Sequence, residues 1–387
     1  MIDPVELAAE LVRIESLSGQ EGDLADFLVK TLRRFAAVER GPLGAVVAEL
    51  RNGEGPTLVF EGHMDTVPPG DEAAWSVPPF AGAEKGGYIW GRGAVDMKGA
   101  IAAQIAAASA SRDAVRGTLY LVYVPHEETA EGAVLERVLD AIDVPDLVVL
   151  GEPSDLRLGI GHRGRAVIRL LARGKTAHAS MPGLGQNAIT LMIKQLPKAL
   201  SRELPGDPVL GRGTHAVTSI YTPTWGPIIP DRCIAEIDRR IVVGETRDSV
   251  LGTYRDLDLE VAIAREELRS YTGESFTVEH FYPAWYFDPA EGFVQWAWHA
   301  LDHPPFRVWR FSTDGVVSAG TYELPTIGYG PGDETLAHQP DERVAVGDIA
   351  RAAEGYRRLI KRMVDLESVL VKREPLGLLR RPERRAP

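Results

Sequence analysis

Histidines and carboxylates recur in this chain at one kind of place, just after a short apolar run. His63 and Asp65 follow "LVF", Glu127 and Glu128 follow "YLVYVP", Glu152 follows "LVVLG", and His338 lies in the loop after "TIGYGPGD". Asp96, in "GRGAVDMKG", stands ahead of a helix of small residues and can join them. Alone, each element is ordinary: a strand-end "HMD" reads as a polar turn, "EE" as a solvated face and "GEP" as a loop. Together they offer two imidazoles and several carboxylates, a nitrogen and oxygen donor set that suits zinc or, less selectively, cobalt or manganese.

For such a set to meet, strands must deliver it to one edge. The runs "TLVFEGH", "GTLYLVYVP" and "PDLVVLGEP" are solidly apolar and separated by helical stretches, the pattern of strands buried on both faces of a mainly parallel sheet. In open α/β sheets the carboxyl ends of the strands converge on one crevice. Between residues 164 and 270 the texture changes to strand, helix, strand, strand, helix, strand. That order fits a small split βαβ module with one open sheet face. The expected organisation is an α/β domain from residues 1–163 and 271–387, with an α+β domain inserted at 164–270. "VGDIARAAEGYRRLIKRMV" supplies a closing helix.

Composition narrows the class. The 387 residues exceed what one core fills, 44% are apolar and 25% charged, and no apolar span is long enough for a bilayer. "MIDPVELAAELVRI" carries an acid where a signal peptide carries positive charge, so it reads as a retained amphipathic helix capped by Asp3. The single cysteine, Cys233, excludes an internal disulfide, reads as a buried strand residue, and points to reducing cytoplasm. A net charge of -12 disfavours nucleic acid as a partner. The basic cluster in "VKREPLGLLRRPERRAP" reads as a solvated tail.

The stretches "GHMDTVPPGD", "GRGAVDMKGAIAA", "PHEETAEG", "LGEPS", "GKTAHASMP", "IPDRCIAEIDRR" and "GYGPGDETLAHQPDE" resemble the metal-dependent aminoacylase and carboxypeptidase family that includes acetylornithine deacetylase and succinyl-diaminopimelate desuccinylase. "GHRGRAVI", "SYTG" and "FSTDGVVSAG" are more similar to its YgeY-like branch. The resemblance implies a zinc-peptidase type central sheet, a ferredoxin-like lid and dimerisation domain, and two divalent metal ions, zinc foremost, with cobalt or manganese possible. It implies that His63 and Glu152 bind one ion, His338 and Glu128 the other, and that Asp96 bridges both. Asp65 would orient His63 through its other ring nitrogen, and Glu127 would be the general base acting on a metal-bridging water. Which glutamate binds and which acts as base comes from the resemblance alone. His178 would donate to the oxyanion, often across a dimer interface. Arg240 would pair with a substrate carboxylate, and Gly330, Pro331 and Gly332 would bring backbone to the substrate.

The implied activity is hydrolysis of an amide bond in a small, carboxylate-bearing substrate such as an N-acyl amino acid. The alternatives are a dipeptidase or carboxypeptidase, and an inactive binding protein of the same fold. The chain departs from the family at Pro227, where an asparagine is common, which removes a side-chain amide and a backbone donor. His126 reads as a non-ligand; His162 and Arg163, at the junction into the lid, read as structural.

Overall fold

The N-terminal residues fold as their sequence dictates. Asp3 accepts hydrogen bonds from the Val5 and Glu6 amides at 2.8 and 3.3 Å, with Pro4 in the first turn, and starts α1 (Pro4–Arg13). The computed structural model describes residues 2–370; the basic cluster near the C-terminus lies outside the described residues.

The strands that follow are β1 (Ala37–Arg40), β2 (Val46–Asn52), β3 (Thr57–His63), β4 (Gly117–Val124), β5 (Leu147–Leu150) and β6 (Leu158–His162). β3, β4 and β5 are the three apolar runs, and each is buried along its whole length because helices cover both faces. On one face lies α2 (Gly99–Ser111), whose alanines let it sit close to the sheet; α1 and a late helix pack on it.

Next comes a second sheet: β7 (Gly164–Arg173), β8 (Thr214–Tyr221), β9 (Arg232–Ile241), β10 (Glu260–Ile263) and the short β11 (Phe281–Tyr282). Its order is β8-β9-β7-β10, with β11 also on β7, and every pairing is antiparallel. Ala166, Ile168, Leu170, Cys233, Ala235 and Ile237 point to one side, where they pack with Ala188, Met192 and Ala199 of α3 (Ala188–Leu200). The other side is half-buried and mixes charged residues such as Arg165, Arg169, Glu236 and Asp238 with apolar Val167, Leu171 and Ile234. Cys233 is buried on the packed side as a strand residue.

A hairpin formed by Arg265–Arg269 and Ser275–Glu279 spans residue 270. It packs back on the first part of the chain, where the Ser270 hydroxyl donates to the Leu43 carbonyl at 2.6 Å. The chain then rejoins the central sheet through β12 (Trp285–Tyr286), β13 (Phe306–Trp309) and β14 (Thr326–Gly328), and closes with α4 (Val346–Arg362), where the Tyr356 ring packs tilted against Phe60 at 5.0 Å.

The central sheet runs β1-β2-β4-β3-β5-β14-β6-β12, with β13 beside β6. It is mixed: β4, β3, β5 and β14 are parallel, while β1, β2 and β12 pair antiparallel. Register decides what meets at its carboxyl edge. His63 stands level with Val124, three residues before Glu127, and Glu61 stands level with Leu150, two before Glu152. Gly328 is level with Leu150, which sends the loop ending at His338 over the same edge. No helix among the described residues is long and apolar enough to cross a membrane.

Candidate metal centre

Asp96 holds an imidazole on each carboxylate oxygen. His63 Nε2 lies 2.8 Å from Oδ1 and His338 Nε2 lies 3.3 Å from Oδ2. His338 Nε2 also lies 3.0 Å from Oε1 of Glu128. These side chains come from β3, from the turn before α2, from the turn after β4 and from the loop after β14. The sheet edge therefore gathers residues as far apart in sequence as His63 and His338. His63, Asp96 and Glu128 present ligand atoms within 4.8 Å of one another, and so do His63, Glu127 and Glu152.

Each member is held by its backbone surroundings. Gly93 in the left-handed region turns the chain ahead of Asp96, whose peptide with Met97 is cis. Glu342 accepts the Val95 and Asp96 amides on Oε1 at 2.9 and 3.2 Å and is clamped by Arg92 at 2.5 Å. It lies four residues after His338, so it ties the loops of both residues together. On His63, Nδ1 lies 2.9 Å from the main-chain carbonyl of Asp65. A carbonyl can only accept, so Nδ1 keeps its proton and Nε2 is the nitrogen free to bind.

The Asp65 carboxylate behaves differently from expectation. Its nearer oxygen is 3.6 Å from His63 Nδ1. Its hydrogen bonds go to the amides of Glu127 and Glu128 at 3.0 and 3.1 Å and to the Ser18 hydroxyl at 2.7 Å. Three good donors outcompete one ring nitrogen. Asp65 thus orients His63 through its backbone and shapes the two-glutamate turn through its side chain.

The charges confirm how crowded this edge is. Burial, reinforced by neighbouring acids, pushes the Glu127 and Glu152 carboxyls well above the usual carboxylate range. Burial acts the same way on Asp96 but is overridden by hydrogen bonds from His338 and His63, which hold it well below that range. Hydrogen bonds to Asp96 and Glu128 raise His338 to about 10. Burial opposes charge on His63, yet its contacts with Asp65 and Asp96 raise it. Protons on imidazoles and carboxyls here offset the repulsion that divalent cations would offset equally well. The donor set, with one carboxylate shared by two imidazoles, fits a pair of such ions: His63, Asp96 and Glu152 could hold one, and Asp96, Glu128 and His338 the other.

Other residues singled out in the sequence lie elsewhere. His178 is exposed, and its Nδ1 contacts the hydroxyl and amide of Ser180 at 2.7 and 3.1 Å within its own loop; it makes no hydrogen bond to the acidic cluster. Arg240, on β9, forks onto Asp238 at 2.9 and 3.4 Å. Its neighbour Arg239 is buried against Glu245 and is structural. Gly330 has a packing reason to be glycine, since a Cβ there would lie 2.3 and 2.4 Å from the carbonyl oxygens of Gly151 and Glu152. Gly332 has φ +95 and accepts the Asp155 amide. His126 is a non-ligand, its ring bonded to Thr129 and to the Arg269 carbonyl. His162 is buried between the Arg163 carbonyl and the Thr313 amide, and burial lowers it to about 4.

Buried acids that the sequence did not single out include Glu342 and Glu61, the latter beside Asp314. Burial pushes Glu61 far up and Asp314 to about 6, each beside the other. The signal for Glu61 was present: an acid inside the apolar run "TLVFEGH", two residues before His63 and so on the same strand face.

Residues 59–362 match the sequence profile described as Peptidase family M20/M25/M40. The protein YgeY of Escherichia coli strain K12 is 31% identical over 375 residues, covering 92% of this chain and 93% of that protein. The succinyl-diaminopimelate desuccinylase of Maricaulis maris is 29% identical, covering 93% and 96%. Among solved structures, the M20 family metallo-carboxypeptidase Sso-CP2 of Sulfolobus solfataricus superposes with a TM-score of 0.72 at 17% identity, covering 94% of this chain and 100% of that one. A dinuclear metal binding peptidase of Bacillus subtilis, YXEP, does so with a TM-score of 0.65 at 15% identity, covering 94% and 98%. With the family profile spanning the sheet edge where His63, Asp96, Glu128 and His338 meet, this chain belongs to peptidase family M20/M25/M40.

Proposed function

We propose that the protein hydrolyses an amide bond in a small substrate that carries a carboxylate, such as an N-acyl amino acid, with two divalent ions, zinc foremost, as cofactors. The observation that carries this reading is Asp96, with one imidazole on each oxygen and further carboxylates behind both. Bound there, the ions would supply Lewis acidity toward an amide carbonyl and a water. The rest falls to the chain's own side chains. Glu128 is engaged with His338, and the family resemblance assigns the role of base to its neighbour Glu127. Buried beside His63 and Glu152, its carboxylate would take a proton from the attacking water and return it to the leaving nitrogen.

In this reading residues 164–270 form a lid over the 1–163 and 271–387 domain. His178 meets the oxyanion and Arg240 the substrate carboxylate when the lid and the sheet edge come together, and Gly330 and Gly332 shape the floor. A second copy of the chain is the proposed occupant of an apolar surface beside His178. His178 bridges to Ile228, whose loop carries Trp225 at 93% exposure, and Met181, Leu184, Ile220 and Tyr221 are exposed on the same module. β8 is the edge strand there, with an open row of backbone donors and acceptors. The single cysteine, reduced and buried, supports a cytoplasmic location.

Three outcomes are expected. Glu127→Gln should keep its zinc content while turnover on a panel of N-acetyl, N-succinyl, N-carbamoyl and dipeptide substrates falls about 10²–10⁴-fold; turnover equal to wild type would remove Glu127 as base. A dipeptide preference requiring a free α-amino group would move the assignment to a dipeptidase.

After chelation, His338 contributes stability in full below its ordinary value of 6.5, and that contribution is lost as pH rises toward about 10. The raised Glu127 and Glu152 carboxyls act with the same sign. Thermal melts of chelated protein should therefore fall from pH 6.5 to 10, less steeply in His338→Gln; a rising melt over that window contradicts the arrangement.

Sedimentation should show a dimer that Trp225→Ser weakens, whereas a wild-type monomer at micromolar concentration would remove the second copy from the lid.

A further inference from the structure

Arg165 and Arg240 stand directly opposite each other on β7 and β9, on the unpacked side of the second sheet. Like charges in that position repel across a Cβ separation of about 5 Å. One Asp238 carboxylate sits between them. It takes Arg165 Nε at 2.9 Å on Oδ2 and Arg240 Nε at 2.9 Å on Oδ1. Arg165 then reaches out of its own sheet, its Nη1 lying 3.2 Å from Oε1 of Glu131. Glu131 directly follows the Glu127–Ala130 turn, so Arg165 touches the segment that carries the base. On its other side, Tyr282 of β11 is level with Arg165 and presents its ring 6.0 Å away.

The same sheet face contains an internal comparison. Two pleat repeats along, Arg169 places both Nε and Nη2 on Glu236 at 3.0 and 2.7 Å, one guanidinium saturated by one acid. That arrangement is enough to satisfy a strand arginine. At the end near Glu131, two guanidiniums share Asp238, and Arg165 alone also reaches Glu131. Arg165 Nη2 and Arg240 Nη1 make no hydrogen bond among the described residues, and the two side chains are 31% and 30% exposed. Planar N–H donors from two guanidiniums, pre-oriented by a shared acid, match the two oxygens of a carboxylate.

We propose that Arg165 is a specificity-determining residue that forms, with Arg240, a two-guanidinium clamp for the substrate's carboxylate, with Asp238 as the positioning residue between them. The proposal rests on the amide-hydrolase reading above. It adds that recognition is made by both strands, next to the turn bearing Glu127, and that the clamp sets the preference for acids over their amides.

The test compares the best N-acyl amino acid of the panel with its α-carboxamide in the zinc-loaded wild type and in Arg165→Gln, Arg165→Lys and Arg169→Gln. Arg165→Gln should raise KM for the acid about 10–100-fold while kcat/KM for the carboxamide changes by no more than about threefold, the loss expected for a charged hydrogen bond. Arg165→Lys should restore part of the preference, and Arg169→Gln should leave it intact. An equal loss on acid and carboxamide, or no loss on either, overturns the clamp. If the wild type cleaves no member of the panel, the hydrolase reading fails, and the clamp is decided by calorimetry with N-acetyl-L-alanine and its amide. Binding of the acid that is weakened selectively in Arg165→Gln supports it, and acid binding that Arg165→Gln leaves unchanged overturns it.

Discussion

One carboxylate, that of Asp96, is shared between His63 and His338, and the rest of the structure is arranged to make that sharing possible. A buried carboxylate flanked by Glu127, Glu128 and Glu152 is unfavourable unless positive charge stands among them. The parallel register of β3, β4, β5 and β14 brings the groups to one edge. Glu342 and Arg92 fix the Asp96 turn, and the Asp65 carbonyl aims His63 Nε2 at it. The chain's membership of peptidase family M20/M25/M40 agrees with this picture: a metal-dependent hydrolase of amide bonds needs cation-holding groups and a base in one buried crevice.

The catalytic half was legible because its signals are local. Strands buried on both faces appear as unbroken apolar runs, and a polar residue just past such a run has only the sheet edge to occupy. The inserted sheet was legible for a related reason. Its β7 and β9 alternate strictly, and a period of two can serve only one buried face.

What was not legible depended on competition among partners. Two residues after His63, Asp65 looked like a ring partner, yet its carboxylate is taken by two amides and a hydroxyl that no spacing rule reveals. Arg240 read as a substrate contact, and no sequence pattern shows that cross-strand register sets Arg165 and Asp238 beside it. Gly330 read as a substrate-loop glycine, and no spacing rule reveals that its missing side chain also makes room for the carbonyls of Gly151 and Glu152. Glu342 sits four residues past His338 in an ordinary-looking "PDER", and only the fold shows it gripping the Asp96 backbone.

The central claim is that Asp96 organises two cation sites at once. The direct measurement is anomalous scattering at the zinc edge from crystals of the zinc-loaded protein and of Asp96→Ala. The account predicts two peaks on either side of the Asp96 carboxylate, one toward His63 and Glu152 and one toward His338 and Glu128, with both weakened or lost in the variant. Two peaks that persist at full height without the Asp96 carboxylate, or zinc bound away from it, would contradict the account.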